Sequence, residues 1–301
     1  MKVSKKTGIT LFVTAAVIMA VLIVFHKNPG PAADPGQELA KKIISCVVIA
    51  AACAAFIHWY DKFTGLPVEL FQNRHLIWKL AKNDFKKRYA GSYLGAVWAM
   101  AQPVVTVAMY YIVFDKIMGN TSTPLREGVE VPFVLFLTAG LVPWFYFSEA
   151  LNNGTNALLE YNYLVKKVVF NISVLPVVKI ISAMFVHVFF VLFTIILYAA
   201  YGRMPDIYYL QLIYYTGCVF ILVLGLSYAT SAIVIFFRDL TQIINIVLQV
   251  GVWLTPIMWI VETSPLQGHP VIMKILKLNP MYYIVSGYRD TFLMKTWFFQ
   301  H

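Results

Sequence analysis

Long apolar runs separated by short polar breaks dominate this chain. Seven are candidates to cross a bilayer: roughly Ile9–Phe25, Ile43–Trp59, Leu94–Ile117, Val131–Ala150, Val174–Tyr201, Tyr208–Phe237 and Gln242–Val261. A hydrocarbon core needs about 20 mostly apolar residues per helix. Backbone polar groups in lipid must be satisfied within each segment, so each run predicts a spanning helix. Pro103 and Pro256 fall inside two of these runs and predict kinks. The stretch from Val68 to Tyr89 has a different rhythm. At helical spacing Leu70, Phe71, Ile77, Trp78, Leu80, Ala81, Phe85 and Tyr89 share one arc, and Gln72, His75, Lys79, Lys82, Asn83 and Lys86 share the other. That pattern predicts an amphipathic helix lying in the headgroup plane. Arg74 and Asp84 intrude on the apolar arc, and Asp84 stands four residues before Arg88 in the favourable order for a helical ion pair. Ala90-Gly91-Ser92 then predicts a sharp turn into the next span.

Composition agrees with a chain that sits mostly in lipid. Of its 301 residues 60% are hydrophobic and 13% charged, against about 25% charged in soluble domains. No length remains for a separate soluble domain. The net charge of +10 comes from cations flanking apolar runs, which predicts anionic lipid rather than nucleic acid as the partner. Lys2, Lys5 and Lys6 precede the first run, so the N-terminus is expected inside. Alternation then puts Lys62, Arg74, Lys79, Lys82, Lys86, Lys87 and Arg88 inside, with Lys166, Lys167 and Arg238. The first run also has the positive-then-apolar order of a signal peptide; its removal would leave the downstream orientation unchanged. Cys46, Cys53 and Cys218 lie in apolar runs without metal or disulfide spacing and are expected to be packing residues.

Several ordered motifs carry a family resemblance. The run DFKKRYAGSYLG with its following Trp98 and Pro103, and YYIVFDKI after it, resembles the opening of permease subunits of ABC-2 type polysaccharide exporters, which move O-antigen, teichoic-acid or related glycans. VPFVLFLTAGLVPWFYFSEAL, LVKKVVFNISVLPVV, FFRDL, LTPIMW and LNPMYYIVSGYRDTFL are similar to later segments of the same family in the same order. The resemblance covers about residues 68–293. It implies an all-α integral membrane fold: an amphipathic interface helix and an ABC-2 type helical core (63–301), preceded here by an extra two-helix hairpin (1–62). The family has a further span after the outer re-entrant segment. Only a few residues follow Thr296 here, so the permease domain is expected to be incomplete at its C-terminus.

The resemblance also implies partners. No G-x-x-x-x-G-K-[ST] loop occurs in the chain, so nucleotide phosphates lack their usual cradle. The chain is read as a transport permease and not an enzyme, without a cofactor or metal of its own; a separate ABC ATPase subunit would bind ATP and Mg. Glu160, Lys166 and Lys167, with Arg238 and Asp239, are the expected coupling contacts, or else ordinary cytoplasmic loop charges. A second copy of the chain would complete the channel in the bacterial cytoplasmic membrane. The cargo would be a glycan on a polyprenyl diphosphate, and Lys86, Lys87 and Arg88 are either its diphosphate site or plain lipid anchors. Tyr110, Tyr111, Trp144, Tyr146, Phe147, Trp253 and Trp259 are candidates to line the glycan path through ring contacts with sugar C–H faces, against the alternative of an interfacial aromatic belt. His187, mid-span, is expected to be a hydrogen-bonded packing residue.

Two other functions fit a chain of this kind. One is an ABC-2 permease for a small lipophilic substrate, for which a dry aliphatic cavity would speak. The other is a membrane enzyme acting on lipid-linked sugars, which needs gathered carboxylates; the 14 acids here are scattered and no D-x-D pair occurs.

Overall fold

The computed structural model describes residues 5–25, 35–95, 97–119, 122–124, 130–161, 172–261, 264 and 269–298. The chain forms two compact units, Met1–Arg74 and His75–His301. The first holds three helices: α1 (Lys5–Phe25), α2 (Pro35–His58) and α3 (Tyr60–Gln72). α1 and α2 pair as a hairpin, with Phe12 stacked on Phe56 at 4.0 Å and the Tyr60 ring lying over Gly8, where a β-carbon would clash. α3 leaves the line of α2 at 67°.

The amphipathic segment expected as one helix over residues 68–89 is divided. α3 ends at Gln72, and α4 runs from Arg74 to Arg88. Asn73 marks the break: its backbone N–H and its side-chain amide both donate to the Glu69 carbonyl, so the side chain competes for a helical acceptor. Within α4 the expected two-faced pattern is present in part, since Trp78 of the apolar arc is 50% exposed. Ile77, Ala81 and Asp84 are buried, while His75, Lys79, Lys82, Asn83 and Lys86 are exposed.

The second unit is built around one helix. α5 (Val97–Tyr110) continues as a π-turn over Tyr111–Ile117 and leads to a two-stranded antiparallel pair, β1 (Ser122–Pro124) with β2 (Glu130–Pro132). α6 (Phe133–Glu160) follows and runs ten residues past the expected end at Ala150. It is buried along most of its length, against α7 (Val174–Ala200) and α8 (Gln211–Val234). Lipid tails are as apolar as leucine, so packing rather than burial from water holds such helices together. Small residues permit it: Gly154 lies against Ser227 of α8, where a β-carbon would overlap the hydroxyl.

α9 (Leu240–Leu254) is shorter than the expected span 242–261. Pro256 does not kink this helix; it ends it. The residue before a proline is driven out of helical conformation, and Thr255 is extended, at φ −75 and ψ 131. α10 (Pro270–Leu278) and α11 (Pro280–Arg289), with a π-turn over Asp290–Met294, occupy the segment expected to be re-entrant. At about 1.5 Å per residue neither can cross a bilayer alone. Asn279 sits at their corner. Its Oδ1 accepts from the Met281 N–H at 3.0 Å as an N-cap, and its Nδ2 donates to Thr255 Oγ1 at 3.1 Å, tying α11 to the end of α9.

Among the described residues five helices are long and apolar enough to cross a membrane: α1, α5 with its π-turn, α6, α7, and α8 with its preceding 3-10 turn at Ile207–Leu210. The bent α2–α3 pair makes a sixth candidate. The protein is an all-α, multi-pass membrane chain apart from the β1–β2 pair.

Candidate functional site

The cationic end of α4 meets the C-terminal half of α6 and the start of α7. Arg88 donates to Glu149 Oε1 of α6 at 2.6 Å and to Asp84 Oδ2 at 3.2 Å. The other oxygen of Asp84 accepts from Lys179 Nζ of α7 at 2.6 Å and from the Tyr161 hydroxyl at 2.8 Å. Lys179 also donates to Glu160, the last residue of α6. The result is an alternating chain, Glu149–Arg88–Asp84–Lys179–Glu160, across three helices.

Its middle is deeply buried: Asp84 is 6% and Lys179 4% exposed. Burial pushes the Asp84 carboxyl up, but the Lys179 ammonium and the Tyr161 hydroxyl outweigh it and hold the group below its ordinary value. Burial likewise works against the Arg88 charge, and Glu149 with Asp84 more than offsets it, so the guanidinium keeps its proton more firmly than usual. Asp84, the residue that spoiled the apolar arc of the sequence pattern, is the centre of this network.

Beyond Arg88 the chain turns. Gly91 at φ +84 and Gly95 at φ +54 adopt left-handed backbone that side-chain-bearing residues avoid. The turn delivers α5 beside α6, and a cleft of about 460 Å³ opens between them. Arg88 and Tyr89 close one end, Trp98, Gln102 and Pro103 of α5 form one wall, and Phe145, Ser148, Glu149, Asn152 and Asn153 of α6 form the other. The Asn152 Oδ1 atom is buried without a hydrogen-bond partner among the described residues.

Of the expected headgroup residues, Lys86 and Lys87 are exposed and Arg88 is committed to its two carboxylates. The expected coupling residues that the structure describes sit near the same end of α6. Glu160 is half exposed, Arg238 and Asp239 are exposed on the turn between α8 and α9, and Lys166 and Lys167 lie outside the described residues. Thr241 Oγ1, just past that turn, donates to Asn156 Oδ1 of α6 at 2.9 Å.

The expected glycan-lining aromatics do not gather in one place within the chain. Trp144, Tyr146 and Phe147 are buried in α6, with Trp144 against Phe147 at 5.5 Å and Tyr146 stacked on His187 at 4.6 Å. Tyr110 and Tyr111 are half-buried at the end of α5. Trp253 is 63% exposed, and Trp259 donates its indole N–H to the Trp253 carbonyl at 2.9 Å. His187 is within 3.1 Å of the Tyr288 hydroxyl and 3.3 Å of Thr216 Oγ1, a polar knot inside the bundle.

Sequence reasoning missed Lys179 and the cleft. Both left a signal. Lys179 interrupts the apolar run VLPVVKIIS, and an ionisable group inside a span marks a site by default. Glu149, Asn152, Asn153, Asn156 and Glu160 recur at helical spacing along α6 as a polar stripe in a predicted span.

A buried ion chain with a polar cleft beside it, among long apolar helices, is the site geometry of this multi-pass membrane chain. The comparisons with known proteins narrow this class. The family model described as ABC-2 type transporter matches residues 75–293, and the chain belongs to that family. It is 29% identical to the O-antigen export system permease protein RfbA of Myxococcus xanthus over 74% of this chain and 82% of that protein. A Klebsiella pneumoniae protein of the same name is 25% identical over 72% of this chain and 80% of its own length. The polysialic acid transport protein KpsM of Escherichia coli is 23% identical over 69% and 77%. The match begins at α4 and takes in the second compact unit up to Leu293.

Proposed function

We propose that this chain is the membrane permease of an ABC exporter of polysaccharide, of the O-antigen or related type. A separate ATPase subunit drives it, and two copies of the chain enclose the path. The names of the relatives point to the cargo class. The observation that carries the reading is the cleft beside Arg88. Its walls bear Gln102, Ser148, Glu149, Asn152 and Asn153 among the rings of Tyr89, Trp98 and Phe145. A dry aliphatic cavity would suit a small lipophilic substrate; hydrogen-bonding groups among aromatic rings suit a sugar. The enzyme reading is disfavoured by the state of the nearby acids: Asp84, Glu149 and Glu160 each face a cation.

In this reading the α4–α6–α7 corner faces the cytoplasm, at the inner surface of the bacterial cytoplasmic membrane, with the N-terminus on the same side. Exposed Lys86 and Lys87 meet the diphosphate of a polyprenyl carrier as point charges. The end of α6 at Glu160 and the turn at Arg238-Asp239 meet the ATPase. The ion chain then links that contact to α4 through Lys179 and Asp84.

The test is export. The chain is expressed with an ABC ATPase from its own genome in cells that make the glycan. Surface glycan is then measured by labelling intact cells. Export that needs this chain and an intact ATPase supports the reading. Undiminished surface glycan in a strain deleted for this chain sinks it.

A further inference from the structure

We infer that the cleft between α5 and α6 is a saccharide subsite, which receives an uncharged, hydroxyl-bearing sugar and leaves the carrier diphosphate outside at Lys86 and Lys87. This rests on the export reading and assigns the site its ligand chemistry.

The argument begins with charge. The charged residues lining the cleft are Arg88 and Glu149, and they are paired with each other at 2.6 Å. Asp84 stands on the far side of Arg88 at 3.2 Å, so one cation faces two carboxylates. A diphosphate brought here would meet a guanidinium already neutralised and a carboxylate that repels it. Anion binding needs donors with charge to spare, and the exposed ammonium groups of Lys86 and Lys87 meet that need better.

The hydrogen-bond inventory points the same way. Asn152 Oδ1, a buried acceptor, and Asn153 Nδ2, a buried donor, belong to residues lining the cleft and have no hydrogen-bond partner among the described residues. A buried polar atom left unpaired is costly, and in native structures it usually finds a protein group, a water or a ligand. The acceptor asks for a donor and the donor for an acceptor. A phosphate ionised at neutral pH offers only acceptors and would meet the second atom alone, while a sugar hydroxyl, or the acetamido group of an N-acetylated sugar, both donates and accepts. Ser148 donates its hydroxyl to the Phe145 carbonyl, so its oxygen lone pairs remain to accept. Gln102, exposed on the opposite wall, supplies both an acceptor and donors. The Trp98 ring, 51% exposed, provides a face for sugar C–H groups. A volume of about 460 Å³ lies within the range of small-ligand sites.

Binding to the full chain in phosphatidylcholine nanodiscs tests this with two probes: a bare polyprenyl diphosphate, and the same carrier bearing one N-acetylhexosamine. The wild-type chain is expected to bind the glycosylated probe more tightly. Asn152→Ala and Gln102→Ala are each expected to cut that advantage roughly three- to tenfold, the effect of one neutral hydrogen bond, while leaving the bare carrier's affinity unchanged. Lys86→Ala with Lys87→Ala is expected to weaken both probes alike. Size-exclusion profiles and thermal unfolding establish that each variant is folded. Equal wild-type affinity for the two probes, or loss of bare-carrier binding in Asn152→Ala, overturns the subsite and leaves the export reading standing. Failure of the wild type to bind either probe takes both down. A last arm replaces phosphatidylcholine with phosphatidylglycerol or phosphatidylserine, which share a charge but differ in the free diol. If only phosphatidylglycerol abolishes the sugar advantage, the cleft is a lipid-headgroup site and the inference fails.

Discussion

Two arginines, at different places in the bundle, are held in different ways. Arg88 faces carboxylates: Glu149 at 2.6 Å and Asp84 at 3.2 Å, with Lys179 continuing the alternation. Arg289, at the end of α11, donates to the Ile257 carbonyl at 2.6 Å and lies over the Phe136 ring at 3.6 Å. The first device couples three helices through charges whose separation is costly once they leave water. The second ties α11 to its neighbours through contacts that include a dipole and a ring face. Charge chains transmit displacement, because moving one member strands the next. A guanidinium against a carbonyl and a ring fixes one geometry. The α4 corner is therefore the better place to feel an outside force, and the α11 corner the better place to resist one.

The sharpest way to break this contrast is to strand a charge. Lys179→Met leaves Asp84 buried with Arg88 as its remaining cationic partner, and Asp84→Ala leaves Lys179 with Glu160. Each is expected to destabilise the chain by about 3–5 kcal/mol, the usual cost of breaking a buried pair from one side. The paired change Asp84→Asn with Lys179→Met is expected to recover part of that loss. Thermal unfolding in nanodiscs reads both. If the single changes are silent, the network is decoration.

Acid probes the same joint. The folded-state pKa of Asp84 lies below its ordinary value of 3.8. Its contribution to stability is therefore complete above the unfolded pKa and is lost as pH falls through the folded one. Stability is expected to be flat from neutral pH down to about 5 on this account, then to decline. Asp84→Asn is expected to flatten the acid limb. An unchanged limb in that variant would assign acid sensitivity elsewhere.

What the sequence made legible followed from local signals. Run length alone located five of the seven expected spans, because hydropathy reads directly on the length a bilayer requires; the second became a bent helix pair and the seventh a helix of 15 residues. The helical period exposed the two faces of α4. The break at Asn73 and the end of α9 at Thr255 were within reach of local rules for asparagine and for residues before proline. The ion chain was not. Asp84 and Lys179 are 95 residues apart, and no periodicity relates them. The sequence marked Asp84 as a defect in an apolar arc and as the helical partner of Arg88, which is one link of the chain; its pairing with residues on other helices left no local sign. Residues 84, 149, 160 and 179 come together through the packing of α4, α6 and α7, a property of the fold rather than of any segment. The cleft was hidden for the same reason, although its α6 wall was a readable polar stripe.

A smaller effect is expected at the other arginine. Arg289→Lys keeps the charge but removes the planar group that covers Phe136. A loss of about 1–2 kcal/mol is expected, well short of the cost at Lys179. The variant is expected to keep its affinity for an ATPase partner, since the change lies among α6, α11 and the turn after α9. An equal or greater loss than in Lys179→Met would reverse the comparison drawn between the two corners.

The smallest structural effect, and the most informative functional one, is expected at Lys86 and Lys87. Both are exposed on α4, so replacing them with alanine is expected to leave thermal unfolding within the range of ordinary surface changes. Export is expected to fall nonetheless, because the two ammonium groups are exposed cations without an ion pair among the described residues, beside a corner whose Arg88 is already occupied. Salt separates this from a packing effect: exposed charge interactions weaken as the Debye length shrinks. Carrier binding by the wild-type chain is therefore expected to weaken with ionic strength, and the double variant is expected to have lost most of that dependence. If export by the double variant equals that of wild type at normal protein levels, these lysines anchor lipid and nothing more, and the diphosphate must be met elsewhere.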